Sequence, residues 1–176
     1  AEKPVAVDTP VQPRRPRPGA GAQAVVGQEA GVDLHRLSIQ TFAEADVDIV
    51  VDGKIDESLW QTLPYYDNML VSIPALVTPA EYATQIRIFA TEKGLYVSSD
   101  MEQPPDSLVK RYSRRDDFIN RDTFGVTIDA SGEALVAYWF FIALGDSLSD
   151  GKVLPERRFQ RDWDGPWLGK SAETDN

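Results

Sequence analysis

The stretch Arg161-Asp162-Trp163-Asp164-Gly165-Pro166-Trp167 sets two indoles four residues apart, with a guanidinium and two carboxylates beside them. Flat aromatic faces stack on the axial C–H groups of a pyranose, and neighbouring polar arms can hydrogen-bond its hydroxyls. Arg161, Asp162, Trp163, Asp164 and Trp167 are therefore candidates for a ligand-stacking platform. Trp139 is another. In AYWFFIAL it lies on the opposite face of a strand from Tyr138 and Phe140, and one of those faces must turn from the core or lie under a loop. Each set has a plainer reading beside it. Trp139 can pack between sheets, and the 161–167 loop can tuck one Trp under the domain while Arg161 pairs with an aspartate.

Other side chains suggest cations or anions. Calcium takes about six to eight oxygen ligands. Asp46, Asp48 and Asp52 crowd one segment, and Asp146 and Asp150 flank GDSLSDG, but neither set has EF-hand spacing. A basic run, Lys110, Arg111, Arg114, Arg115 and Arg121, is interleaved with Asp116, Asp117 and Asp122. It suits an acidic sugar or a partner's carboxylates; the favoured expectation is a charge-paired loop over a sheet, locked by an Arg121–Asp122 hydrogen bond.

Catalysis fares poorly. Cysteine is absent and His35 is the one histidine, so thiolate chemistry is excluded and a Ser/His/Asp triad has one candidate base. No P-loop, G-x-S-x-G or G-x-G-x-x-G occurs. A glycosidase needs two spaced carboxylates, but with 28 acidic residues some pair always meets that test, so it decides nothing. A binding module is the expectation, not an enzyme.

The formal charge is −10, split as +1 over residues 1–36 and −11 over 37–176. An acidic body disfavours nucleic acid and anionic lipid as partners and is compatible with neutral sugars and calcium. No apolar run approaches the ~18 residues of a membrane helix, so direct membrane insertion is not expected. The start at Ala1, on AEKP, resembles a chain after signal-peptide removal, which predicts a periplasmic or cell-surface location.

The elements that must position these residues are short strands. Residues 1–36 are rich in Pro, Gly and Ala, too poor in bulky side chains to offset ordering entropy, and read as a flexible tail. Residues 37–176 read as the folded domain. LHRLSIQTF and VDIVVDGKID alternate as short strands with a turn at Asp52-Gly53, and Asp56 is expected to cap a one-turn helix, ESLWQ, that buries Leu59 and Trp60. TQIRIFA and LYVSS form a hairpin across EKG; Thr123–Asp129 and Ala134–Leu144 form a second, whose return strand is apolar on both faces and hence central. After Gly145 the chain reads as loop. Frequent turns and almost no helix predict an all-β fold, an antiparallel β-sandwich.

DGKIDESLW, then IRIF, EKG and LYVSSD, then RRDDFINRDTFGVTID and RDWDGPW, resemble the family 9 carbohydrate-binding modules. The likeness spans roughly residues 45–168 and is nearest to the version found at the N-terminus of certain bacterial outer-membrane β-barrel proteins. It implies a sandwich that binds mono- or oligosaccharides without cleaving them, often carries calcium, and serves carbohydrate catabolism. It also implies further strands beyond Asn176 and, as a partner, the C-terminal β-barrel region of the full-length protein. The ligand-sandwiching aromatics of the family have no residue-by-residue match in this chain. An alternative therefore stands beside it: a docking domain for the barrel with no sugar-binding activity.

Overall fold

Two alternating hairpins organise two sheets. The computed structural model describes residues 39–71 and 78–174; the expected tail over 1–36 and the start of LHRLSIQTF lie outside them. The first sheet has the order β1 (Gln40–Thr41), β2 (Thr84–Ala90), β3 (Leu95–Met101). The second is β4 (Thr123–Ile128), β5 (Ala137–Ala143), β6 (Leu148–Leu154), β7 (Arg158–Gln160), antiparallel throughout. Among the described residues, one helix of five residues, α1 (Ser58–Thr62), completes the regular structure besides short 3-10 turns. The fold is all-β. The exception to antiparallel pairing is β1, which runs parallel to β2 over two residues.

The first sheet closes around Phe89, which is fully buried. Tyr96, its cross-strand partner, stacks on it at 4.6 Å, and Trp60 and Phe42 meet it edge-on at 5.0 and 5.7 Å. The segment DGKIDESLW exists to deliver Trp60 there. Gly53 turns with φ +94°, and Lys54 N–H donates to Asp52 Oδ1 at 2.9 Å. α1 then brings Trp60 and Leu63 into the same cluster. Asp56 is not the cap: Glu57 holds that position, and its carboxylate accepts the Val50 N–H instead, at 2.9 Å. The strand expected in VDIVVDGKID is likewise absent, because Val47, Ile49 and Ile55 pack against the Trp60 cluster as irregular chain.

In the second sheet, β5 lies between β4 and β6, as its two apolar faces require. On one face the rings lie flat over glycines. A Cβ on Gly125 would stand 2.1 Å from the Phe141 ring, and one on Gly151 would stand 2.6 Å from Trp139 and 2.0 Å from the Gln160 carbonyl. On the other face Phe140 meets Trp163 and Trp167 edge-on at 5.8 and 5.5 Å, and Tyr138 meets Trp163 at 4.6 Å. The C-terminal segment thus covers that face.

β6 and β7 correct the expectation of loop after Gly145. Ser, Asp and Gly have low strand propensity, but Gly151 is required where the Trp139 ring crosses β6. The β6–β7 turn places Glu156 and Arg157 at φ +64° and +56°, so it lacks the Gly or Asn that usually announces such a turn. The chain end is fixed by Asp146, also at positive φ: its Oδ1 accepts Ser171 N–H at 2.7 Å and its Oδ2 the Lys170 ammonium at 3.0 Å. Burial alone would push this carboxyl up; the Ser171 N–H, Lys170 and the Ser171 hydroxyl hold it below the usual carboxylate range.

Replacing Gly151 by Ala must displace either the Trp139 ring or β7. We expect a loss of about 2 kcal/mol, within the range for overpacking a filled site. It will appear as a lower urea midpoint at unchanged slope.

Candidate functional site

β7 pairs only with residues 152–154 of β6, so the Leu148–Asp150 edge would stand open. The basic loop covers it. Asp116, at φ +63°, donates its N–H to the Leu148 carbonyl at 3.1 Å and accepts the Asp150 N–H on Oδ1 at 3.0 Å. Ser113 and Ser147 exchange two further bonds, at 3.0 and 3.2 Å. An unpaired edge is a template for pairing with other chains, and here side chains and loop backbone occupy it.

Beneath the loop, Asp150 is fully buried. Arg115 Nη2 donates to one of its oxygens, and Gly165 N–H to the other at 2.5 Å. Arg115 Nε also lies 3.3 Å from Asp164 and 3.9 Å from Asp116. Asp116, Asp150 and Asp164 thus present carboxylate oxygens within 4.8 Å of one another, a donor set with the chemistry to hold a cation. In this structure a guanidinium serves that role. The calcium set expected at Asp46, Asp48 and Asp52 does not assemble: all three are exposed and the converging carboxylates, among the described residues, are the other three. Asp146, expected to share a site with Asp150, is engaged with Ser171 and Lys170 instead.

On the opposite face of the sheet the same loop encloses a cavity of about 190 Å³. Phe118 and Phe141 form its apolar wall; Asn120, Ser147 and Ser149 supply polar atoms. Phe118 stands edge-on to Trp139 at 5.7 Å, is 46% exposed, and carries the Arg161 guanidinium over its ring at 3.8 Å. Arg121 lies in the wall at 7% exposure. Its Nη1 donates to the Arg111 carbonyl at 3.2 Å and Ser113 Oγ at 2.6 Å, and its Nη2 to the Asp117 carbonyl at 3.0 Å. Burial pulls its pKa down and the nearby Asp117 charge pushes it back, but a guanidinium stays protonated.

The expected Arg121–Asp122 pair does not form. Successive residues of extended chain project to opposite sides, so Asp122 accepts Val109 N–H at 2.7 Å and Gln103 Nε2 at 3.3 Å instead. The loop is locked all the same, by each residue separately.

Among the platform residues, Trp139 is 1% exposed and its indole N–H donates to the Lys152 carbonyl at 3.1 Å. Its faces are taken by packing, so it is not a stacking surface. Trp163 and Trp167 are half-buried against Tyr138 and Phe140, on the sheet face away from the cavity. Arg161 reaches Phe118, Asp164 reaches Arg115, and Asp162 is exposed. The seven-residue stretch is therefore split between two faces and a clamp. Phe118, Asn120 and Ser149 were not visible as site residues, because GDSLSDG reads as loop and Phe118 has no periodic neighbour.

Comparison with protein-family models, with curated proteins and with solved structures finds no match for this chain.

Removing Arg115 leaves the buried Asp150 charge without its counter-charge. We expect Arg115→Met to cost about 3 kcal/mol in urea unfolding, the low end for a broken buried pair because Arg115 is partly exposed. The double variant Arg115→Met/Asp150→Leu is expected to recover part of that loss. Equal stability of wild type and Arg115→Met would show the clamp to be idle.

Proposed function

We propose that this chain is a non-catalytic module that binds a small carbohydrate in the cavity whose apolar wall is formed by Phe118 and Phe141. The observation that carries the reading is the composition of that cavity. It pairs aromatic walls with hydroxyl, amide and guanidinium groups, the combination a pyranose requires for its C–H face and its hydroxyls. Its volume lies below the ~300–1,000 Å³ of drug-sized pockets, which favours a single sugar ring or the end of a longer chain. The resemblance to family 9 modules supports the same function, with the two sheets as the layers of a sandwich. It also supports export to the periplasm or cell surface beside an outer-membrane partner region. Calcium, on this reading, would go to Asp116, Asp150 and Asp164 in competition with Arg115.

A docking role for the same face has one observation behind it. Ile119, next to Phe118, and Phe159, 6.4 Å from the Trp139 ring, are 43% and 58% exposed, leaving apolar surface that a protein partner would cover. That reading expects association with a β-barrel region of the same polypeptide.

The test is isothermal titration of monosaccharides, cellobiose and xylobiose into the folded chain, with and without calcium. We expect millimolar binding that weakens about 3- to 10-fold in Phe118→Ala, the worth of one aromatic stack. Trp163→Ala should leave it intact; loss there alone would move the site to the 161–167 platform. Silence across the panel from a cooperatively melting protein would overturn the carbohydrate reading.

A further inference from the structure

Arg121 is more than nine-tenths buried, yet every acceptor it uses is a neutral oxygen. Its neighbours on the loop show how unusual that is: Arg115 is held by three carboxylates and Lys110 by Glu173. Burying a charge is costly unless it is paired as well as hydrogen-bonded. A guanidinium has five N–H donors. Two bonds from Nη1 and one from Nη2 leave Nε–H and the second Nη2 N–H without a protein acceptor among the described residues. Nε–H belongs to an edge of the fork that can donate to a carboxylate. Ser149, 4% exposed and on the same cavity wall, also has no side-chain partner among the described residues.

We propose that the cavity is selective for a carboxylated sugar, a uronate, whose carboxylate pairs with Arg121 while its ring lies against the wall formed by Phe118 and Phe141. Asn120, Ser147 and Ser149 meet the ring hydroxyls. This rests on the carbohydrate reading above and names the substrate class for it. The acidic character of the body does not oppose it strongly. At physiological salt the Debye length is about 8 Å, so distant carboxylates are screened, while Arg121 within the wall acts at contact range. Asp117, on the rim, is the nearby opposing charge, and it favours a ligand with one carboxylate over a polyanion.

The experiment is an amide chemical-shift titration of the isotopically labelled chain at constant ionic strength. Four ligands are compared: sodium D-glucuronate, D-glucuronamide, D-glucose and sodium acetate. We expect glucuronate to bind at least about tenfold more tightly than the two neutral sugars, the worth of a charge-assisted contact, and acetate to bind more weakly than glucuronate. The shifts should centre on residues 117–123 and 147–149. Phe118→Ala should weaken glucuronate and glucose alike in a chain that still melts cooperatively, at a temperature lowered by the lost contacts with Trp139 and Phe141. Arg121→Lys, if it folds, should abolish the preference over glucuronamide. Equal affinity for glucuronate and glucose would overturn the uronate inference and leave the carbohydrate reading standing. Acetate binding as tightly as glucuronate would reduce the cavity to a simple anion site. No shift with any ligand would remove both.

Discussion

The Asp150 carboxylate joins three parts of the chain at one buried point. Fully buried, it draws Arg115 from the basic loop to one oxygen and the Gly165 N–H from the C-terminal segment to the other. Its own N–H is taken by Asp116. Taking a carboxylate out of water costs several kcal/mol even after relaxation, and a close counter-charge with further hydrogen bonds offsets it. Here each oxygen has a donor, and one of the two donors is a guanidinium. One consequence is that the loop carrying Asp117 to Arg121 is pinned to β6 just before it turns over the sheet to form the cavity. Another is that Trp163 and Trp167, on either side of Gly165, are delivered to the opposite face. A single buried charge therefore sets both surfaces of the second sheet.

Packing on β5 completes the arrangement. Trp139 and Phe141 lie over Gly151 and Gly125, so large rings fit against neighbouring strands without pushing them apart. Phe118 then rests against both rings from outside, partly exposed. The same choice that fills the sheet face leaves a ring standing at the cavity mouth, which links core packing directly to the proposed ligand surface. The first sheet has a different logic. Its Phe89–Trp60 cluster is closed, and the DGKIDESLW segment is part of its architecture. Gly53 contributes twice: its positive φ makes the turn, and the missing Cβ admits the Ser171 backbone, which a side chain would meet at 2.7 Å.

The parts of this that could be read from sequence share one property: their signal is periodic and local. Alternation in TQIRIFA and TFGVTI marked both hairpins, the doubly apolar AYWFFIAL marked a central strand, and Leu59-Trp60 marked a buried helix turn. β6 and β7 were illegible because their residues are chosen by tertiary contacts. Gly151 is there for the Trp139 ring of the neighbouring strand, which no local pattern reveals, and Glu156 and Arg157 turn the chain without turn-forming side chains. The candidate site fared likewise. Arg115, Asp164 and Asp150 were each visible as charged residues, but Arg115 is 35 residues and Asp164 is 14 residues from Asp150 along the chain. The lesson of Arg121 and Asp122 is similar: adjacency in sequence suggested a pair, and extended geometry sent them to opposite sides.

The dependence of both sheet faces on Asp150 can be measured directly by comparing amide spectra of the wild-type chain and Asp150→Asn, a nearly isosteric change. The account predicts shifts or broadening through residues 113–121 and 163–167, with Thr84–Met101 of the first sheet unmoved. Changes confined to residues 149–151, with the loop and the C-terminal segment undisturbed, would contradict it.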